Sequence, residues 1–151
     1  ALVSARQAEG KRLEAVLRTR LEELGELCQQ AESAAAVRAE AVRERLRQQI
    51  AELLDLSPAL PEERLAQEAA VLAVKGDIRE ELDRVKAHIG AARDLLDTGG
   101  AIGRRLDFLC QEFNREANTL CSKSGDVELT QIGLRMKAAI DQFREQALNI
   151  E

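Results

Sequence analysis

Apolar residues recur every three or four positions along most of the chain with charged residues between them, the pattern of helices buried along one stripe. From Val3 to about Gln30 the stripe runs through Leu13, Leu17, Leu24 and Leu27 to Ala31. A second stretch, about Ser33 to Leu56, puts Ala35, Ala39, Val42, Leu46 and Leu53 on one side, with Arg38, Arg43, Arg45 and Arg47 mostly on others. The two are expected to pack as an antiparallel helical hairpin. Neither Gly nor Pro marks a turn between them, so one continuous helix is the alternative. Their balanced Arg and Glu content is that of a solvated face.

The clearest boundary is Ser57-Pro58-Ala59-Leu60-Pro61, where two prolines remove backbone donors and bias the residues before them away from helix. A helix is expected from about Pro61 to Lys75. Gly76 reads as a stop, and Asp77 as the cap of a new helix with Glu80 reaching back. That helix, to about Asp97, carries Ile78, Leu82, Val85, Ile89 and Leu96 as its stripe. Thr98-Gly99-Gly100 is a turn, followed by a helix from about Ala101 to Ser122 that buries Leu106, Leu109, Cys110, Phe113, Ala117 and Leu120. Ser124-Gly125-Asp126 punctuates again. The last helix, about Val127 to Asn149, buries Ile132, Met136, Ala139, Ile140, Phe143 and Ala147. The expectation is an all-α fold of five or six amphipathic helices. Residues 1–57 form a long hairpin or coiled-coil-like segment, and residues 58–151 a compact helical bundle.

Composition removes alternatives. Aromatic residues are only 2 %, and β-branched residues are too sparse to supply a sheet. With 22 Lys and Arg against 27 Asp and Glu, no global positive field draws in polyanions, so nucleic-acid binding needs a local patch, metal ions or another domain. No apolar run has the length of a membrane span, and the N-terminus lacks the apolar core of a signal peptide. Cys28, Cys110 and Cys121 have no C-x-x-C spacing, which fits a reducing cytoplasm. A start at Ala1 rather than Met reads as part of something longer.

Candidate chemistry lies on two helices. Asp77, Glu81, Arg84 and His88 stand at i, i+4, i+7 and i+11, one line beside the apolar stripe. Two carboxylates a turn apart can share a divalent cation, and a neighbouring His can move a proton. The same residues also fit a plainer role: Asp77 as an N-cap, Glu81 and Arg84 as a surface pair, and His88 as a structural residue. His88 is the sole histidine, so a mechanism with one His as base and another as acid is excluded within this chain. Zinc is not expected, because Cys110 belongs to a buried stripe and no Cys pair has ligand spacing. In Gly103-Arg104-Arg105-Leu106-Asp107-Phe108-Leu109-Cys110-Gln111-Glu112-Phe113-Asn114-Arg115-Glu116-Ala117-Asn118-Thr119, Asp107, Gln111, Asn114 and Asn118 share a face. Amides in mid-helix suggest a polar network shared with another helix or a ligand, to which Glu68 on the preceding helix would add. Of Phe108, Phe113 and Phe143, two fall in buried stripes, which favours recognition of a nucleic-acid backbone over base stacking.

Several stretches together resemble the C-terminal part of the bacterial YicC/YloC family. They are Arg64-Leu65-Ala66-Gln67-Glu68; Asp77-Ile78 with Glu80-Glu81-Leu82, Arg84 and His88; Leu106-Asp107-Phe108-Leu109; Gln111-Glu112; Asn114-Arg115-Glu116; Asn118-Thr119; Ser122-Lys123; and Arg144-Glu145-Gln146-Ala147-Leu148-Asn149-Ile150-Glu151. Glu9-Gly10 also looks like the family's entry into its first central helix, whereas Gly76 and Cys121 depart from it. The resemblance implies an endoribonuclease that cleaves RNA with divalent metal, Mg²⁺ or Mn²⁺, and assembles as a ring-like homo-hexamer around it. It also implies an N-terminal domain before the equivalent of Ala1. On that basis Asp77, Glu81, Glu112 and Glu116 are expected to hold metal, and His88, with Glu81 and Glu112, to act in catalysis. Arg84, Arg115 and Lys123 are expected to contact phosphate. Two other readings stay open: an adapter that binds an RNA-decay enzyme, and an oligomerisation module working through the polar face.

Overall fold

The computed structural model describes residues 2–56, 63, 67, 70 and 77–150. Among them the chain forms α1 (Leu2–Leu56), α2 (Arg79–Thr98), α3 (Gly103–Ser124) and α4 (Val127–Ala147), with no strand. The fold is all-α as expected, but the count of five or six helices is not met. The expected hairpin is one helix of 55 residues. Residues 29–36 explain its continuity: Gln, Ala, Glu and Ser without Gly or Pro give the chain no reason to turn. The helix expected from Pro61 to Lys75, with its flanking Pro58 and Gly76, falls outside the described residues apart from positions 63, 67 and 70.

At 1.5 Å per residue α1 is a rod about 80 Å long, and only its middle enters the core. Leu17, Leu21, Leu24, Cys28 and Ala31 are fully buried, alternating steps of four and three as in a coiled-coil seam. Leu13 and Leu27, expected on the stripe, sit half-buried at its edges, while Leu21 and Cys28 take the centre. Past Ala34 no described α1 side chain is fully buried, and Ala35 is the last apolar one packed against the core. Val42, Leu46 and Ile50 are half-buried, and Ala39 and Leu53 are exposed.

The other three helices bury the stripes read from the sequence, with Leu129 and Gly133 added on α4. α1 packs on α2 and α4, and α3 packs on the same two. Ion pairs from Arg18 to Asp97 at 2.7 Å and from Glu32 to Lys86 set α1 antiparallel to α2. The result is an up-down-up-down four-helix bundle. Gly99 and Gly100 form the α2–α3 turn at positive φ. Gly125, at φ 53°, ends α3 in the left-handed region, where a side chain would be strained. Arg38 donates to the carbonyl of Ser124, an acceptor that the helix end leaves without an internal partner. Asp126 then caps α4 by accepting from the Glu128 backbone N–H at 3.3 Å.

Gly133 of α4 packs closely on Leu120 and Cys121 of α3. A Cβ there would lie 2.5 Å from Cys121 Sγ, so the space a side chain would need is already filled by the thiol. Among the described residues no helix is long and apolar enough to cross a membrane.

Candidate functional site

The line of polar residues expected on α2 begins before the helix itself. Asp77 Oδ1 accepts from the Arg79 backbone N–H at 2.9 Å, and both carboxylate oxygens accept from the Arg79 guanidinium at 2.7 to 3.1 Å. Those bonds, the side-chain ones foremost, hold the Asp77 carboxyl below the usual aspartate range. Asp77 therefore supports the helix start. Glu80 does not reach back to complete a capping box. It accepts instead from Arg84 Nη1 at 2.7 Å, the i, i+4 pairing that its spacing allows.

Where α2 meets α3, two carboxylates are buried. Glu81, 1 % exposed, stands between Ile78, Leu82 and Val85 on the apolar side of α2. Glu116, 5 % exposed, stands beside Phe113, Ala117 and Leu120 on α3. A carboxylate in such surroundings is costly unless a cation and hydrogen bonds compensate it. Lys123 Nζ donates to Glu81 Oε1 at 2.7 Å, and Arg84 Nε donates to Glu116 Oε1 at 2.9 Å. Arg84 Nη2 also approaches Glu81 Oε1 at 4.0 Å, linking the two pairs. The bond to Glu81 raises the Lys123 ammonium above the ordinary lysine value, and the bonds to Glu116 and then Glu80 raise Arg84. Among the described residues Glu81 Oε2 is buried with no hydrogen-bond partner, so this carboxylate is only half satisfied there.

His88 follows Arg84 by one turn and is half-buried. Its ring meets Phe113 edge-on with centroids 6.0 Å apart, and Phe113 meets Phe143 in the same way at 6.3 Å. Packing thus fixes the imidazole at the rim of the α2–α3 seam.

The remaining expected residues separate from this cluster. Asp107 accepts from Gln111 Nε2 at 3.3 Å and from Arg144 Nε at 3.0 Å, which ties α3 to α4. Asn114 is half-buried and Asn118 exposed, and neither hydrogen bonds within the described residues, so the four-residue network shrinks to its first two members. Glu112 is half-buried and Arg115 exposed, and neither forms an ion pair among the described residues. Glu68 lies outside the described residues. The structure therefore joins Glu81, Arg84, Glu116 and Lys123, with His88 adjacent. Sequence reasoning also gave Glu80 only a capping role, although its i, i+4 spacing to Arg84 was an available signal of the ion pair it forms.

The expected metal set is not assembled within the chain. Among the described residues no group of three or more His, Cys, Asp or Glu side chains is placed to hold a metal ion. Of the four expected ligands, Asp77, Glu81 and Glu116 each already face a cationic side chain. The unpartnered Glu81 oxygen is a single donor, not a chelate. Cys28 and Cys110 offer no thiolate either, since burial pushes their thiols up to about 11 and about 12.

A family model described as Endoribonuclease YicC-like, C-terminal, matches residues 30–151. The chain belongs to this family. It is 40 % identical over 146 residues to a probable endoribonuclease YicC of Clostridioides difficile, covering 97 % of this chain and 50 % of that protein. It is 37 % identical over 150 residues to a probable endoribonuclease YicC of Haemophilus influenzae, covering 99 % of this chain and 51 % of that protein. The chain thus spans about half the length of these YicC relatives. The YicC-like match takes in all of α2, α3 and α4, so Glu81, Arg84, His88, Glu116 and Lys123 all lie inside it.

Proposed function

We propose that this chain supplies an RNA-contacting and cleaving surface of an endoribonuclease, with its reactive centre on the α2–α3 seam. The observation that carries the proposal is the pair of buried carboxylates, Glu81 and Glu116, holding Lys123 and Arg84 beside the only histidine. In this reading Glu81 and Glu116 are positioning residues, because both are buried behind the cations they hold. Arg84 and Lys123, whose side chains are 45 % and 35 % exposed, meet the phosphodiester. His88 moves a proton to or from the reacting oxygen.

Three carboxylates, Glu80, Glu81 and Glu116, face two cations here, so an incoming phosphate must displace one acid or be accompanied by a cation. Glu80 is the acid to displace. Its side chain is 73 % exposed, and a solvent-exposed ion pair is worth little, whereas Glu116 is locked in place by burial. Phosphate would then take Glu80's place on Arg84 Nη1, in charge-assisted hydrogen bonds of the same kind. Dependence on Mg²⁺ or Mn²⁺ is part of the proposal through the sequence resemblance alone. The described carboxylates form no chelate of three or more ligands.

The test is cleavage of a labelled hairpin RNA by the full-length protein and its Arg84→Ala and His88→Ala variants, each with Mg²⁺, Mn²⁺ or EDTA. The expected result is cleavage lost in His88→Ala with RNA binding retained, and binding weakened in Arg84→Ala. Undiminished cleavage in both variants would overturn the proposed centre. RNA binding without cleavage by the unaltered protein would move the reading to an adapter of RNA decay.

A further inference from the structure

The α2–α3 seam does not stop at His88. The line Asp77, Glu81, Arg84, His88 steps on, at the same spacing, to Ala91 and Leu95, and the facing line on α3 runs from Lys123 through Glu116 and Glu112 to Leu109 and Arg105. Ala91 and Leu95 line an open cavity of about 440 Å³ together with Arg104, Arg105, Phe108 and Leu109. The cavity is thus the other end of the groove that carries the proposed reactive centre. From Arg84 to Leu95 the rise along α2 is about 16 Å, a distance that a few nucleotides cover.

Three properties define what this end of the groove can take. Its surface is mainly apolar. Phe108, 59 % exposed, is the one phenylalanine of three outside the core. Arg104 and Arg105 are both exposed and make no ion pair within the described residues, unlike Arg84. An aromatic face kept in water beside two uncommitted guanidinium groups matches an unstacked nucleobase with its flanking phosphates. Asp94, also on the cavity rim, repels phosphate and leaves the Arg104 and Arg105 side as the path for the backbone.

We propose that Phe108, with the apolar surface of Ala91, Leu95 and Leu109, is a stacking subsite for an unpaired base, and that Arg104 and Arg105 hold the adjoining phosphates. The seam then reads a single-stranded nucleotide at one end and cleaves at the other, which selects RNA with unpaired residues near the scissile bond. The subsite rests on RNA as the ligand proposed above, but not on cleavage.

Binding without turnover tests it. Fluorescence anisotropy would compare a short labelled single-stranded oligoribonucleotide with a blunt duplex of the same sequence. Both would be titrated with the unaltered chain, Phe108→Ala, Phe108→Leu, Phe108→Trp and Arg104→Ala/Arg105→Ala. Circular dichroism and sedimentation of each variant would check fold and assembly. Loss of one base stack weakens single-strand binding about 10-fold in Phe108→Ala and Phe108→Leu, with Phe108→Trp restoring it and duplex binding unchanged. The double Arg variant weakens both and flattens the salt dependence. Equal single-strand affinity in Phe108→Leu and the unaltered chain would overturn the subsite while leaving the RNA reading in place. A change of oligomeric state in Phe108→Leu without any change in RNA affinity would overturn it in favour of a contact between copies. Absence of RNA binding by the unaltered chain would overturn both readings together.

Discussion

Gly133 and Cys121 show how much of the α3–α4 contact depends on a few atoms. The thiol fills the hollow that the missing side chain leaves, so Gly133→Ala puts a Cβ 2.5 Å from Cys121 Sγ and 3.2 Å from Leu120 Cδ2, and something must shift. Overpacking of this kind costs about 1–3 kcal/mol. In urea unfolding the midpoint of Gly133→Ala is expected to fall with an unchanged slope, and Cys121→Ala/Gly133→Ala to recover much of the loss. The same thiol is set apart from the other two. Cys28 and Cys110 are buried and become thiolates only as pH rises through about 11 and about 12, while Cys121 is half-buried. At pH near 8, a thiol-reactive chromophore is expected to count one rapidly reacting group in the native chain and all three after denaturation. Fast native reaction of Cys28 or Cys110 would show that the buried seam opens.

At the scale of whole helices, α2 through α4 were readable from the sequence because local signals and periodicity agreed. Gly99-Gly100 and Gly125-Asp126 are turn residues that also stand at the observed breaks, and every apolar residue expected on the stripes between them is buried, with Ala92, Leu129 and Gly133 added. α1 was harder for the opposite reason. Its two apolar stretches suit either a hairpin or one continuous helix, and only the lack of any helix-stopping residue in 29–36 favours the continuous helix that is observed. The alignment of Glu81, Arg84 and His88 was likewise legible, since one helix repeat decides it. Which α3 residues meet them was not, because periodicity within a helix says nothing about register between helices. Carboxylates expected to share a metal turned out to have Arg84 and Lys123 as partners. That α2–α3 clasp has a defined pH signature. Lys123 is raised by Glu81 above the ordinary lysine value of 10.5, so the stabilisation is complete below that value and is lost as pH rises through the folded-state value. Thermal midpoints measured from neutral to strongly alkaline pH are expected to drop more steeply in the unaltered chain than in Glu81→Gln. Parallel curves would mean the bond contributes nothing to the fold.

For the molecule as a whole, an acidic chain with net charge -5 would, under the proposed function, bind RNA through local cations, and ionic strength separates that from a diffuse attraction. Each phosphate neutralised on a single strand contributes about 0.7 to the slope of log affinity against log salt. Replacing Arg84 with Ala is expected to lower the slope by about that amount, and Arg115→Ala to do the same only if Arg115 reaches RNA in the assembled protein. A slope unaffected by either change would place the contacts elsewhere.

The length of α1 has a mechanical consequence. Among the described residues the bundle holds this rod from Leu17 to Arg38, and the 18 residues from Ala39 to Leu56 continue past the held part. That outboard arm is about 27 Å long, so a tilt of about 5° at the grip swings its tip by roughly 2 Å. The lever works in reverse as well. A force on the tip arrives as torque at Glu32 and Arg38, which clasp Lys86 on α2 and the end of α3, at most one to two turns from Arg84 and Lys123. A load taken up far from the seam is thereby delivered beside it.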